Sequence, residues 1–176
     1  MLFSERSIWT MVHGIGLGGG ALVGLAAALF YLYATRSAPL ATDADHGSRA
    51  FARLTVFTAV MLWLTVLVGT YIIFPPYRAT PSPGITDLSD FPRSLVLATP
   101  ATAWLHAFAM ETKEHMPWIA SMLTTAVAFI AVRDGGTALT NRSMRQMMFA
   151  LLALSFTLVS FVALLGVFVN KVAPLD

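Results

Sequence analysis

The sequence predicts an all-α integral membrane protein, a four-helix bundle whose helices each cross the bilayer. Hydrophobic residues make up 57% of the 176 residues and charged residues only 11%, whereas a soluble domain carries about 25% charged residues. Four continuous apolar runs are long enough to cross the hydrocarbon core, which takes about 20 helical residues. A transmembrane β-barrel would show short segments of alternating polarity instead. We therefore expect a single transmembrane domain over residues 1–176, surrounded by the lipid bilayer.

The apolar runs place the four spans at about 8–33, 54–74, 113–133 and 147–169. The third run has an upstream extension that starts at Pro100, and proline suits the first turn of a helix. The first run is too long for a cleavable signal peptide, so we expect it to remain as the first span. Because the two halves of the chain share only their hydrophobicity, a transporter built on inverted repeats is not indicated.

Arginines in the loops predict the orientation of the bundle. The two short loops, after the first and third spans, carry six of them: Arg36, Arg49, Arg53, Arg133, Arg142 and Arg145. Short loops that are rich in lysine and arginine stay in the cytoplasm. Both termini and the long loop over 75–99 should then face outward, and five prolines keep most of that loop from being helical. The expected location is a bacterial cytoplasmic membrane, crossed several times.

Composition also excludes several classes of function. The chain has no cysteine, which removes disulfides, iron–sulfur clusters and thiolate metal sites. The net charge is only +2, and no basic stripe or nucleic-acid motif is present, so we expect no nucleic-acid partner. Ionisable residues are almost absent from the middle of the spans, where a channel or transporter pathway would need them.

Two histidines, His13 and His115, are expected at the same depth in different spans. The third span ends near Arg133, and counting back about 20 residues at about 1.5 Å each places its outer boundary near His115. The same count from Thr35, at the end of the first span, reaches the region of His13. Two imidazoles at matching depth on separate helices are typical of bis-histidine haem, and such a pair can also hold a metal ion.

Helical phase predicts which polar residues accompany the two histidines. Glu111 lies four residues before His115, so both share one face of a helix. His106 lies nine residues before His115 and is rotated by roughly 180° on a continuous helix, unless Pro117 breaks it. We therefore expect His13, Glu111 and His115 as the candidate metal ligands, and His106 as a secondary candidate for cofactor binding.

Glycines near the first histidine complete the predicted cofactor site. Gly16 and Gly20 follow His13 by three and seven residues, which places them on the same side of an α-helix. The resulting groove permits either the close packing of another helix or a flat macrocycle against the backbone. The Gly-x-Gly pattern is not a dinucleotide motif here, because no strand precedes it.

Each of these residues also has a purely structural interpretation. His13 can be an interfacial residue that bonds to a neighbour, and His115 can pair with Glu111 or with the loop. Glu111, Lys113 and Glu114 can form exposed ion pairs, which contribute little to stability. Both interpretations stay open at the level of the sequence.

The middle of the chain resembles a group of small, poorly characterised four-span bacterial membrane proteins. The resemblance rests on residues 71–79, with the sequence YIIFPPYRA, on 104–106 and on 113–115, and it implies an architecture rather than an activity. The layout of histidines near helix ends is also similar to that of membrane b-type cytochromes. That family typically has two histidines on each of two helices, a dozen or so residues apart. The spacing of nine here departs from this pattern, so the resemblance implies one haem or none.

Three functions follow from these observations. The leading hypothesis is an electron-transfer protein, rather than a stand-alone enzyme, in which His13 and His115 hold one haem b near the outer face. Lys113 or Glu111 would pair with a propionate or set the potential. Its partners would be quinone and an outer-side redox protein or a larger respiratory complex. The alternatives are a membrane protein that binds a divalent metal ion through His13, Glu111 and His115, and a cofactor-free accessory or assembly subunit of a membrane complex that docks through its long loop.

Overall fold

A computed structural model describes residues 4–36 and 44–174, and every regular element in those residues is a helix. Within these two ranges, four helices are long and apolar enough to cross a membrane. In chain order, the helices are α1 (Glu5–Ala34), α2 (His46–Tyr77), the short α3 (Pro92–Leu97), α4 (Pro100–Thr140) and α5 (Arg142–Val172). The prediction of an all-α protein with four apolar spans is confirmed.

The four long helices extend beyond the predicted spans. Helical structure before α2 already begins at Ala44, so Arg49 and Arg53 lie on a helix and not in a loop. Hydropathy detects only the part of a helix that suits hydrocarbon, whereas arginine stems can continue the helix into the headgroup region. Residues 37–43 of the predicted first loop lie outside the described residues.

Local signals in the sequence begin and end these helices. The Ser4 hydroxyl accepts the backbone N–H of Ser7 at the start of α1, and Asn141 accepts the N–H groups of Ser143 and Met144 at the start of α5. Such caps satisfy donors that have no partner in the helix. Gly135 kinks α4 with a φ of 47°, a conformation that glycine adopts readily.

The long helices form a closed ring in which each contacts two neighbours. Helix α1 packs on α2 and α5, and α4 packs on the same two helices from the opposite side. Small residues let the backbones approach, as is usual between membrane helices: Gly24 of α1 lies directly against Thr58 of α2. Between α2 and α4, Trp63 Nε1 donates a hydrogen bond to Thr125 Oγ1 at 3.0 Å.

Three of the four spans contain a π-helical segment. These segments are Val12–Gly19 in α1, Gly69–Ile73 in α2 and Leu105–Met110 in α4. A π-helical turn takes more residues than an α-helical turn. Such turns are rare in proteins, and where they occur they are often at functional sites. All three lie toward the end of the bundle where α1 and α4 begin and α2 and α5 end, which we call the cavity end.

Candidate functional site

A cavity of about 770 Å³ opens between the helices at the cavity end. Its volume lies within the range of ligand sites, roughly 300–1,000 Å³. All four spans contribute to its wall, whose surface is mostly apolar but includes many polar and ionisable side chains. Among the lining residues are Trp9, His13, Gly69, Tyr77, Met110, Lys113, Glu114, His115, Trp118, Gly166 and Asn170. This combination is typical of a site for a small molecule or cofactor.

His13 enters the cavity wall from α1 and rests on a glycine of α2. A Cβ atom at Gly69 would lie 2.8 Å from His13 Cε1, so only glycine leaves room for the imidazole in this position. His13 Nδ1 is buried and has no hydrogen-bond partner among the described residues. An unsatisfied buried polar atom costs about 1–3 kcal/mol. This nitrogen would therefore gain from a partner that the described residues do not supply.

His115 lines the same cavity from α4. Its Nδ1 lies 2.7 Å from the carbonyl oxygen of Glu111, one turn earlier. A carbonyl oxygen only accepts, so Nδ1 carries the proton and Nε2 keeps its lone pair. A histidine that ligates a metal usually donates its other N–H in this way. The structure thus brings His13 and His115, from two different helices, to one cavity.

The side chain of Glu111 does not join the two histidines. Glu111 is exposed and is not part of the cavity wall, and it contacts His115 through its backbone carbonyl rather than its carboxylate. Within residues 4–36 and 44–174, no group of three or more His, Asp or Glu side chains could hold a metal ion. The structure therefore does not assemble His13, Glu111 and His115 as a three-ligand set.

His106 lies behind the cavity wall and not in it. Its Nδ1 is 3.1 Å from the hydroxyl of Tyr77, and the two ring centroids are 6.0 Å apart. Tyr77 is buried and lines the cavity. His106 consequently supports a residue of the wall and has different surroundings from His115.

Gly16 and Gly20, which were expected to form a groove below His13, do not line the cavity. Gly16 is exposed, and nothing lies within 4 Å of the position a Cβ would take. A Cβ at Gly20 would instead lie 2.7 Å from Met61 Cε on α2, so this glycine serves helix packing. The reason is the π-helical segment Val12–Gly19, in which residues three and seven after His13 no longer lie below it.

Two glycines that sequence analysis did not single out make room for side chains of the wall. Gly69 makes room for His13, and Gly166 of α5 makes room for Lys113, whose Nζ would lie 2.7 Å from a Cβ at that position. The Lys113 side chain thus reaches toward α5. It does not form the exposed ion pair that the structural interpretation of the sequence allows. A glycine within an apolar run can indicate a close contact between helices. The side chain that it contacts can be identified only when the pairing of the helices is known.

Comparison of the chain with protein-family models, with curated proteins and with solved structures gave no match. The resemblances to small four-span membrane proteins and to b-type cytochromes stay predictions. The geometry of the cavity is therefore the basis for a functional proposal.

Proposed function

We propose that this protein is a membrane electron-transfer protein that binds one b-type haem in the cavity through His13 and His115. The observation that carries the proposal is that two imidazoles, one from α1 and one from α4, line the same cavity of about 770 Å³. Nδ1 of His13 has no hydrogen-bond partner among the described residues, and the hydrogen bond that His115 Nδ1 makes to the Glu111 carbonyl leaves Nε2 of His115 as its possible ligand atom.

The remainder of the wall suits a large, flat and mostly apolar cofactor. Trp9, Trp118 and Met110 supply apolar surface, and an apolar surrounding with fixed axial ligands is a principal determinant of haem potential. The carbonyl of Glu111 holds the ring of His115 in one orientation, which keeps its free nitrogen in place. Bound haem would supply a one-electron redox centre, while the chain orients the ligands and excludes water.

The orientation of the bundle completes this proposal. Six arginines flank the short loops at the end opposite the cavity, and such density favours the cytoplasmic side of a bacterial inner membrane. The cavity would then lie near the outer surface. From there, the protein would pass electrons between membrane quinone and an outer-side redox protein or a larger respiratory complex.

Titration of the detergent-solubilised apoprotein with hemin tests the proposal. We expect one equivalent to bind with the spectrum of a low-spin, bis-imidazole haem. His13→Ala and His115→Ala should each weaken binding by at least about tenfold. The matched control is His46→Ala, which changes an exposed histidine at the start of α2 that does not line the cavity.

Two other results would redirect the assignment. Unchanged hemin binding in both cavity variants would contradict the role of the two histidines. Stoichiometric zinc, copper or iron without a porphyrin band would support the metal-binding alternative. If the protein binds neither hemin nor a metal, and co-purifies with a larger complex, the cofactor-free subunit is the better description.

A further inference from the structure

Lys113 is a cation in the cavity wall for which the described part of the chain provides no counter-ion. Its side chain is half-buried and lines the cavity, and its Nζ packs over the backbone of Gly166 on α5. No hydrogen bond or ion pair joins Lys113 to a residue in 4–36 or 44–174. The side chain therefore points across the cavity rather than into bulk water.

The acidic residues that lie nearest do not neutralise this lysine. Glu5 and Glu114 also line the cavity, yet neither forms an ion pair with Lys113 in the described structure. A charge that is removed from water without a partner is costly, and an ionisable residue within a membrane span usually marks a functional site. Asn170, four residues after Gly166 on α5, adds a neutral polar side chain to the same wall.

We propose that Lys113 binds the carboxylate of an amphipathic ligand, so that the cavity selects molecules with an apolar body and an acidic group. Two sources share this chemistry, the propionate of haem and the carboxylate of a fatty acid. For haem, the inference rests on the proposed function. Lys113 is then a specificity-determining residue that recognises the acidic edge of the cofactor, while the two histidines bind its iron.

The first test compares hemin with hemin dimethyl ester, which keeps the iron and the macrocycle but has no ionised carboxylate. Wild-type protein should bind hemin about ten- to a hundredfold more tightly than the ester, the usual contribution of a hydrogen-bonded charge. Lys113→Met should bind both with equal affinity, close to that of the wild-type protein for the ester. The control is Lys171→Met, because Lys171 is exposed, lies outside the cavity and is the only other lysine in the sequence.

The wild-type comparison stands even if Lys113→Met fails to fold, since equal affinities of wild-type protein for hemin and ester would overturn the inference for haem. Preference for hemin that persists in Lys113→Met would overturn it as well. Failure of the wild-type protein to bind either porphyrin would instead refute the proposed function.

A second test applies in that case and does not involve haem. Oleate should slow the acetylation of Lys113 but not of Lys171, measured by mass spectrometry, whereas oleyl alcohol, with the same chain and no acid, should slow neither. Protection by oleate alone would support a fatty acid as the source of the carboxylate. Equal acetylation of Lys113 with and without oleate, in a protein that binds no porphyrin, would overturn the inference altogether.

Discussion

At the scale of single residues, the position of His13 depends on a glycine in another helix. The imidazole lies over Gly69 so closely that a methyl group would meet its Cε1 atom at 2.8 Å. Counting residues along two spans predicts that His13 and His115 lie at the same depth, and both line one cavity. The contact with Gly69 could not be predicted, because it depends on how α1 and α2 rotate against each other.

Gly69→Ala should therefore displace His13 and weaken hemin binding by about ten- to a hundredfold, the usual effect of disturbing the support of a metal-binding histidine. Gly16→Ala is the matched control, because nothing lies within 4 Å of its new methyl group. Hemin titration of both variants is the measurement. A strong effect of Gly16→Ala with none of Gly69→Ala would return the site to the glycine groove that the sequence predicts.

At the scale of the helices, hydropathy predicts the spans well and helical phase predicts the site poorly. The four apolar runs all fall within the observed spans. The assignment of faces assumed 3.6 residues per turn, and it fails in Val12–Gly19, which is π-helical. No single residue type predicts a π-helical segment, because packing against neighbouring helices accommodates its extra residue. For this reason Gly16 and Gly20 lie outside the cavity wall, although helical phase places them below His13.

The contact between α1 and α2 makes a prediction about stability. A Cβ atom at Gly24 would overlap the side chain of Thr58, whose hydroxyl donates to the carbonyl of Leu54 and leaves little freedom to move. Gly24→Ala should destabilise the bundle by about 1–3 kcal/mol, as overpacking of a core does. Thermal unfolding in detergent measures this, with Gly14→Ala as the control, because its methyl group would meet open space. Equal stability of the two variants would contradict the close approach of α1 and α2.

At the scale of the whole molecule, the ring of four helices encloses the large cavity at the cavity end. The side of the membrane that this end faces decides which partners can reach the cavity. The number of spans follows from the four continuous apolar runs of the sequence. The proposed orientation rests on six arginines. The same bundle could sit in the membrane with either end toward the cytoplasm, and only the charges that flank the spans distinguish the two orientations.

The absence of cysteine makes the orientation simple to measure. We expect a membrane-impermeant maleimide to label Ser89→Cys, in the loop between α2 and α3, on intact spheroplasts. Ser143→Cys, at the start of α5, should be labelled only after permeabilisation, because the proposed orientation places the loop there in the cytoplasm. Both serines are exposed, so accessibility within the fold is matched. The reverse pattern would invert the proposed orientation and place the cavity at the cytoplasmic surface.

The absorption spectrum of the protein, purified from haem-replete cells, tests the central claim most directly. Ligation by His13 and His115 predicts a Soret band and one haem b per chain in the pyridine haemochrome assay, with both lost in His13→Ala and in His115→Ala. A colourless wild-type preparation that contains no haem would contradict the account.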